Sequence, residues 1–439
     1  MTGVSQTSSA PGAVTREPPC RGCAAPLRHT FVDLGMSPLC QKHRKLEELA
    51  AMEPFYPLHV WVCDQCFLVQ LEEFVSPEEI FGDGEYAYFS SFSDSWLAHA
   101  RTYVEGSAER FGLGEKSFVV EVASNDGYLL QYFKQRDVRV LGIEPASNTA
   151  EAARDKGIET LVRFFGKETA DHVVETHGRA DLIAGNNVLA HVPDINDFIA
   201  GLKTLLAENG VITMEFPHLL RLIEGNQFDT IYHEHFSYLS FGTVEALFAK
   251  HGLALFDVEE LPTHGGSIRI FAKHEACQSH TTTERTAELR ELEKREGLRS
   301  LDYYARFAER VRETKRKLLE FLIEAKRNGK SVVGYGAPGK GNTLLNYCGV
   351  RSDFLDYTVD RSPHKQGGFL PGTHIPIVHP DEIAQTRPDF VLILPWNLEK
   401  EIVEQMSYVG EWGGEFVVPI PEVRICKSDR APYFSGERQ

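Results

Sequence analysis

The stretch FDTIYHEHFSYLS, residues 228–240, sets Tyr232, His233, Glu234 and His235 side by side. Each of the four can move a proton or help to hold a metal. Metal capture on a helix needs two histidines one turn apart, and these are only two residues apart. On a strand, His233 and His235 would share a face and could chelate, but no further Asp, Glu or His stands at a suggestive spacing. A surface loop with satisfied polar groups is the plainest alternative. Proton transfer is the third: if Glu234 reaches the His235 ring, it orients the imidazole and raises its basicity, leaving the other nitrogen as a base. Methyl transfer to carbon needs such a base, because a C–H is not a nucleophile; transfer to nitrogen or oxygen often needs less.

The elements that would carry this chemistry begin upstream. In EKSFVVEVASNDGYLLQYF, residues 115–133, an apolar run Phe118–Val122 predicts a strand, then a loop, then a helix from Tyr128. About twenty residues on, VRVLGIEP predicts a second strand ending at Glu144. Strand, loop, helix and a strand ending in an acid form a nucleotide-binding unit whose acid takes hydrogen bonds from ribose hydroxyls. The loop is not the dinucleotide glycine pattern. It resembles the first motif of class I S-adenosylmethionine (SAM) methyltransferases, with Glu121 leading, Ala123 and Asn125 at the places of the first two glycines, and Gly127 kept. Asn tolerates left-handed backbone, and Ala is a mild departure. The segment 179–217 then predicts a buried strand ending at Asn186-Asn187, a short piece with His191, an amphipathic helix, a turn at Asn209-Gly210 and a strand. A lone histidine is more often structural than catalytic, but the carboxyl end of a parallel strand is where such folds bind ligands.

Four of the eight cysteines form two C-x2-C pairs, Cys20/Cys23 and Cys63/Cys66. Two such pairs complete a tetrahedral zinc site, and four thiolates leave no open position for catalysis. The metal is therefore expected to be structural. Cys40 lies between the pairs, either as a bystander or as a substitute ligand.

At the other end, residues 302–330 predict one long amphipathic helix stopping near Gly329. SVVGYGAPGKGNTLL then predicts strand, glycine loop and helix. It nearly spells a P-loop, but Gly341 stands where a hydroxyl should hold Mg²⁺, so ATPase chemistry is rejected. With the strand-like VLILP at 391–395, this end predicts a second Rossmann-type fold whose loop N–H groups could meet a diphosphate.

The net charge of −17 argues against general affinity for nucleic acid or anionic membrane. No apolar run reaches the roughly 18 residues of a membrane span. The first 19 residues carry no apolar signal core, so they predict a disordered tail on a cytoplasmic chain.

Taken in order, the paired cysteines, EYAYFSSFSDSW, EVASNDG, YHEHFSYLS and VVGYGAPGKGNTLLNYCG resemble the C-methyltransferases of nucleotide-linked 4-keto-deoxyhexoses, over residues 20–425. The resemblance implies an α/β chain of three domains after the tail (1–19): a zinc module (20–80), a class I SAM methyltransferase domain with a Rossmann-like fold (81–285), and a Rossmann-like C-terminal domain (286–439). It implies a monomer acting on a keto-sugar linked to a nucleotide such as dTDP, in branched deoxysugar biosynthesis for a natural product. It carries catalytic roles onto Tyr232, Glu234, His235, His191 and Tyr86, with Glu234 as the partner of His235. SAM is expected on Glu121, Ala123, Asn125, Gly127, Glu144, Asn186 and Asn187, and the sugar nucleotide on Tyr335, Gly336, Lys340 and Asn342. Two rivals are a non-catalytic scaffold with a degenerate SAM fold, which the altered loop glycines favour, and an NAD-dependent sugar dehydrogenase, which no Cys or Lys nucleophile motif supports.

Overall fold

A computed structural model describes residues 17–81, 86 and 88–427. The expected tail lies outside them up to residue 16. Three sheets organise the chain.

The largest sheet has seven strands in the order Leu253–Leu261, Ser267–His274, Leu206–Pro217, Ala180–Asn186, Phe118–Val122, Arg139–Ile143, Thr160–Leu161. Ser267–His274 runs antiparallel to both neighbours, and the other pairings are parallel. This is the class I methyltransferase arrangement. Helices cover both faces, so Phe118–Val122 is buried throughout and Ala180–Asn186 is buried except at Asp181. That explains why these strands read as continuous apolar runs without alternation. The carboxyl ends of the central strands bring the loops after Val122, Ile143 and Asn186 to one edge.

The C-terminal sheet has six strands in the order Ile377–Val378, Thr358–Val359, Val332–Tyr335, Phe390–Ile393, Glu415–Val418, Arg424–Cys426, parallel except for the last. The helix Gly339–Cys348 leaves the glycine loop that follows its central strand.

The third sheet is antiparallel and joins two parts of the chain. His29–Ser37, Tyr56–Val62 and Val69–Leu71 belong to the cysteine-rich module, and the fourth strand is Ser237–Tyr238, from the end of YHEHFSY. One apolar core extends from this module into the C-terminal part: Phe31 lies against Phe307, with ring centroids 4.5 Å apart, and near Tyr304 at 6.0 Å.

Two local expectations are corrected. The helix expected over 302–330 is two helices, Leu301–Ala305 and Phe307–Arg327, broken at Arg306; Tyr304 and Phe307, on either side of the break, both bury near Phe31. The turn expected at Asn209-Gly210 is a bulge inside one strand, Leu206–Pro217, where the pairing jumps from Ala180–Leu206 to Leu182–Val211. A Cβ at Gly210 would lie 2.8 Å from the Ala180 carbonyl oxygen, so the bulge can lie against its neighbour only as glycine.

Candidate active site

The zinc pairs fold as two copies of one turn. In the first, the Ala24 N–H donates to the Cys20 carbonyl at 2.8 Å; in the second, the Phe67 N–H donates to the Cys63 carbonyl at 3.1 Å. Ala24 and Phe67 take left-handed φ values of 66° and 58°, which swing both thiols of each pair inward. All four Sγ atoms lie within 4.8 Å of one another, with Cys20–Cys66 at 3.5 Å and Cys23–Cys63 at 3.6 Å. Tetrahedral zinc with bonds of about 2.3 Å fits such a group. Cys40 is not part of it.

On the other side of the module, a cavity of about 540 Å³ opens where the three parts meet. Its floor is the loop after the first central strand. Ala123 and Asn125 both adopt left-handed φ, 56° and 50°, as glycines would at those places, and Gly127 does so at 74°. Gly127 is also fixed by packing, since a Cβ there would strike the Ile158 side chain at 2.4 Å. Glu144 faces the cavity and accepts from the Asn125 N–H and the Ala146 N–H, each at 2.9 Å. Burial raises its pKa. Ala123, Asn125, Glu144, Asn186 and Asn187 line the cavity. Glu121 does not: its carboxyl is sealed beneath the loop, and burial pushes its pKa well up.

YHEH is a tight turn. The His235 N–H donates to the Tyr232 carbonyl at 2.9 Å, and the Phe236 N–H then donates to the Ala190 carbonyl at 2.8 Å. Tyr232, Glu234 and His235 all face the cavity, together with Tyr86 and His191. His233 faces away, with Nε2 3.2 Å from the Pro57 carbonyl. The turn removes the strand geometry in which His233 and His235 could chelate together. His235 lies 4.6 Å from His191 and 4.0 Å from Tyr232, ring centroid to ring centroid.

The expected pairing of Glu234 with His235 is not formed. The His235 ring is held instead by a main-chain group, Nδ1 lying 2.8 Å from the Thr230 carbonyl. A carbonyl can only accept, so Nδ1 carries the proton and Nε2 keeps its lone pair. Burial lowers the pKa of His235 well below the ordinary imidazole range and takes His191 down to about 4, so both are neutral. Burial pushes Glu234 the other way, to about 7, and raises Tyr86 and Tyr232.

Of the four residues expected on the nucleotide sugar, Lys340 alone lines the cavity. The Tyr335 hydroxyl turns away to Gln405, 3.0 Å off; Gly336 packs against Pro395; the Asn342 amide donates to the Cys40 carbonyl at 2.6 Å. The strand, loop and helix read from this segment did not tell which helix face meets the cavity. Lys340 donates to Asn397 at 2.8 Å and lies over Trp396, 4.7 Å from the ring centroid. Lys365 joins it at the cavity wall.

Several cavity residues carry no motif of their own. Trp96, Tyr88 and Tyr128 form an aromatic wall beside the 121–127 loop, a suitable surface for a cation. His264 sits in the hairpin loop at a left-handed φ of 54°, its Nε2 3.0 Å from the Asn187 amide nitrogen. Its only sequence signal was a histidine just before Gly265-Gly266.

Family models match along the chain: a zinc binding domain over residues 20–81, a methyltransferase domain over 96–258, and a C-methyltransferase C-terminal domain over 262–421. The chain is 39% identical over 413 residues to the C-methyltransferase NovU of Streptomyces niveus, covering 93% of this chain and 97% of that one. Among solved structures it is similar to SAM-dependent methyltransferases from Clostridium acetobutylicum ATCC 824 (11% identity, 40% of this chain and 91% of that one, TM-score 0.33) and Anabaena variabilis ATCC 29413 (16%, 41% and 86%, TM-score 0.33). At such scores the structural likeness carries no weight.

Proposed function

The chain belongs to the SAM-dependent C-methyltransferases of the NovU type, and from that premise we propose that it methylates C3 of a nucleotide-linked 4-keto-deoxyhexose. The enzyme uses SAM and holds zinc in the Cys20, Cys23, Cys63, Cys66 cluster. The scaffold and dehydrogenase alternatives are set aside with the family assignment.

One observation supports the reading most strongly. His235, fixed through Nδ1 on the Thr230 carbonyl, turns a neutral ring into the cavity that the 121–127 loop and Glu144 also face. SAM bound there supplies an electrophilic methyl and leaves as S-adenosylhomocysteine. The C4 ketone of the sugar acidifies the C3 proton. His235 takes that proton on Nε2, and the oxygen of the resulting enolate is held by hydrogen bonds from Tyr232 or His191. Both tyrosines are kept protonated by burial, as donors must be. His191 is the alternative base, since its ring shares the cavity; the ring meets the Glu234 main-chain carbonyl, and its Nδ1 is buried without a partner among the described residues.

The nucleotide diphosphate is assigned to the C-terminal side, to Lys340, Lys365 and the start of the helix Gly339–Cys348. We assign unit boundaries near residues 80 and 285, which sheet membership supports apart from Ser237–Tyr238. No helix among the described residues is long and apolar enough to cross a membrane. We take the protein to be a cytoplasmic monomer in the pathway to a branched sugar of a natural product. A panel of dTDP-4-keto-hexoses with SAM, read by mass spectrometry and NMR of the product, tests the proposal. The expected product gains one methyl at C3; methylation at oxygen or nitrogen, or none across the panel, overturns it.

A further inference from the structure

The Glu234 carboxyl has one hydrogen-bond partner among the described residues, and that partner comes from another part of the chain. The Cys40 thiol donates to Glu234 Oε1 at 3.7 Å. Cys40 lies between the two zinc pairs but outside the metal cluster, and it is 3% exposed. Its carbonyl accepts the Asn342 amide. A Cβ on Gly339 would stand 2.9 Å from the Cys40 Sγ, so the first turn of the C-terminal helix packs directly on the thiol. The next residue, Gln41, lines the cavity. The thiol is thus clasped between the cysteine-rich module, the catalytic turn and the C-terminal helix.

We propose that Cys40 is a positioning residue for the methyl transfer, its thiol fixing the Glu234 carboxyl in the cavity wall and coupling the catalytic turn to the zinc module and the C-terminal domain. The inference rests on the cavity being the methyl-transfer site. A buried carboxyl needs donors, and this one has no cation beside it among the described residues. The groups that face it are the Cys40 thiol, the Tyr86 and Tyr232 hydroxyls, and the His191 ring near its main-chain carbonyl; Lys365 faces Cys40 from the C-terminal side. Burial and the neighbouring carboxyl keep the Cys40 thiol protonated, so it remains a donor across the working pH range. Its hydrogen bond favours the ionised carboxylate and opposes the burial that raises Glu234 to about 7. Loss of the thiol therefore lets Glu234 hold its proton to higher pH.

The test compares Cys40→Ala and Cys40→Ser in the full zinc-loaded chain. Both should keep wild-type zinc content and SAM affinity. Loss of one hydrogen bond predicts a kcat roughly three- to tenfold lower for Cys40→Ala, with KM for the sugar nucleotide within about twofold. The acidic limb of its pH–rate profile should move up, and Cys40→Ser should restore much of both. A Cys40→Ala enzyme with wild-type kcat and an unmoved limb overturns the proposal. Should Cys40→Ala not fold, infrared spectroscopy gives the answer without it. The S–H stretch that vanishes in Cys40→Ser should shift in Glu234→Gln, and a stretch that does not respond to Glu234→Gln overturns the proposal. The spectrum needs no turnover, so failure of every keto-sugar would count against the assigned reaction and leave the thiol–carboxyl contact to be judged separately.

Discussion

His235 and His233 differ by one turn of backbone, and that difference sets the first prediction. His235→Ala should bind SAM and sugar nucleotide but lose about 100- to 10,000-fold in kcat, the usual worth of a general base. His233→Ala should lose far less, because its ring leaves the cavity for the Pro57 carbonyl. Washout of the C3 proton into D2O, with S-adenosylhomocysteine in place of SAM, should vanish in His235→Ala. If His191→Ala abolishes the exchange while His235→Ala keeps it, the base is His191. A second prediction follows from burial. His264, like His191, is held down to about 4, so between about 4 and the ordinary 6.5 the unfolded chain binds more protons, and stability falls as pH drops through that window. Glu234, raised to about 7, has the opposite sign: its contribution is full below about 4.5 and is lost as pH rises toward 7. The fall in Tm between pH 7 and pH 5 should shrink in His264→Gln and grow in Glu234→Gln. The family resemblance put His235, His191, Tyr232 and Tyr86 forward for one site, and all four line one cavity. The sequence could not show that Glu234 turns to Cys40, because that contact spans 194 residues and leaves no local pattern.

The loop after Phe118–Val122 was legible because its sequence follows a motif whose backbone is unusual. A strand-to-helix turn that must clear a ligand needs left-handed positions, and Ala123 and Asn125 mark them even without glycine. Two predictions belong here. Ala123→Val places a β-branched residue at φ 56°, a true outlier, and should lower both Tm and SAM affinity; Ala123→Gly should leave affinity near wild type. A Val variant with unchanged affinity would show that this loop does not cradle SAM. Glu144→Ala should weaken SAM at least about tenfold by calorimetry, since each charge-assisted hydrogen bond is worth about 1.5–3 kcal/mol. Part of that loss would come from the loop itself, since Glu144 also holds the Asn125 N–H. Elements read less well where packing overrides local pattern. The period through 301–327 is one helix long, and Tyr304 and Phe307, three residues apart, would share a face of an unbroken helix, so nothing in the pattern marks the break at Arg306. Asn209-Gly210 carries turn chemistry, but the neighbouring strand keeps it in the sheet.

The fold of the whole molecule was legible in outline, since each cysteine pair, βαβ unit and glycine loop is a local signal. How the units grip one another was not, because that lies in contacts between distant segments. The zinc module does more than fold itself. Its strand Val69–Leu71 pairs with Ser237–Tyr238, immediately after the YHEH turn, through Val69–Tyr238 and Gln70–Ser237. The Leu71 N–H donates to the Phe236 carbonyl at 3.0 Å, and the Arg21 side chain, from between the first two cysteines, reaches the Pro193 and Leu71 carbonyls. Thus the turn bearing His235 is tied on one side to the SAM domain at Ala190 and on the other to the zinc module. Removing zinc should loosen the second attachment and leave the first. The protein as purified should carry about one equivalent of zinc, and Cys63→Ser should lose it. A zinc-depleted sample should still bind SAM within a fewfold of wild type, because the 121–127 loop and Glu144 are held by the seven-stranded sheet. Its methylation should fall sharply, and proteolysis should open the chain near residues 232–240 before the SAM domain. Full activity without metal would mean that the sheet holds the catalytic turn unaided, and parallel loss of SAM binding and activity would mean that the metal supports the whole fold rather than this one edge.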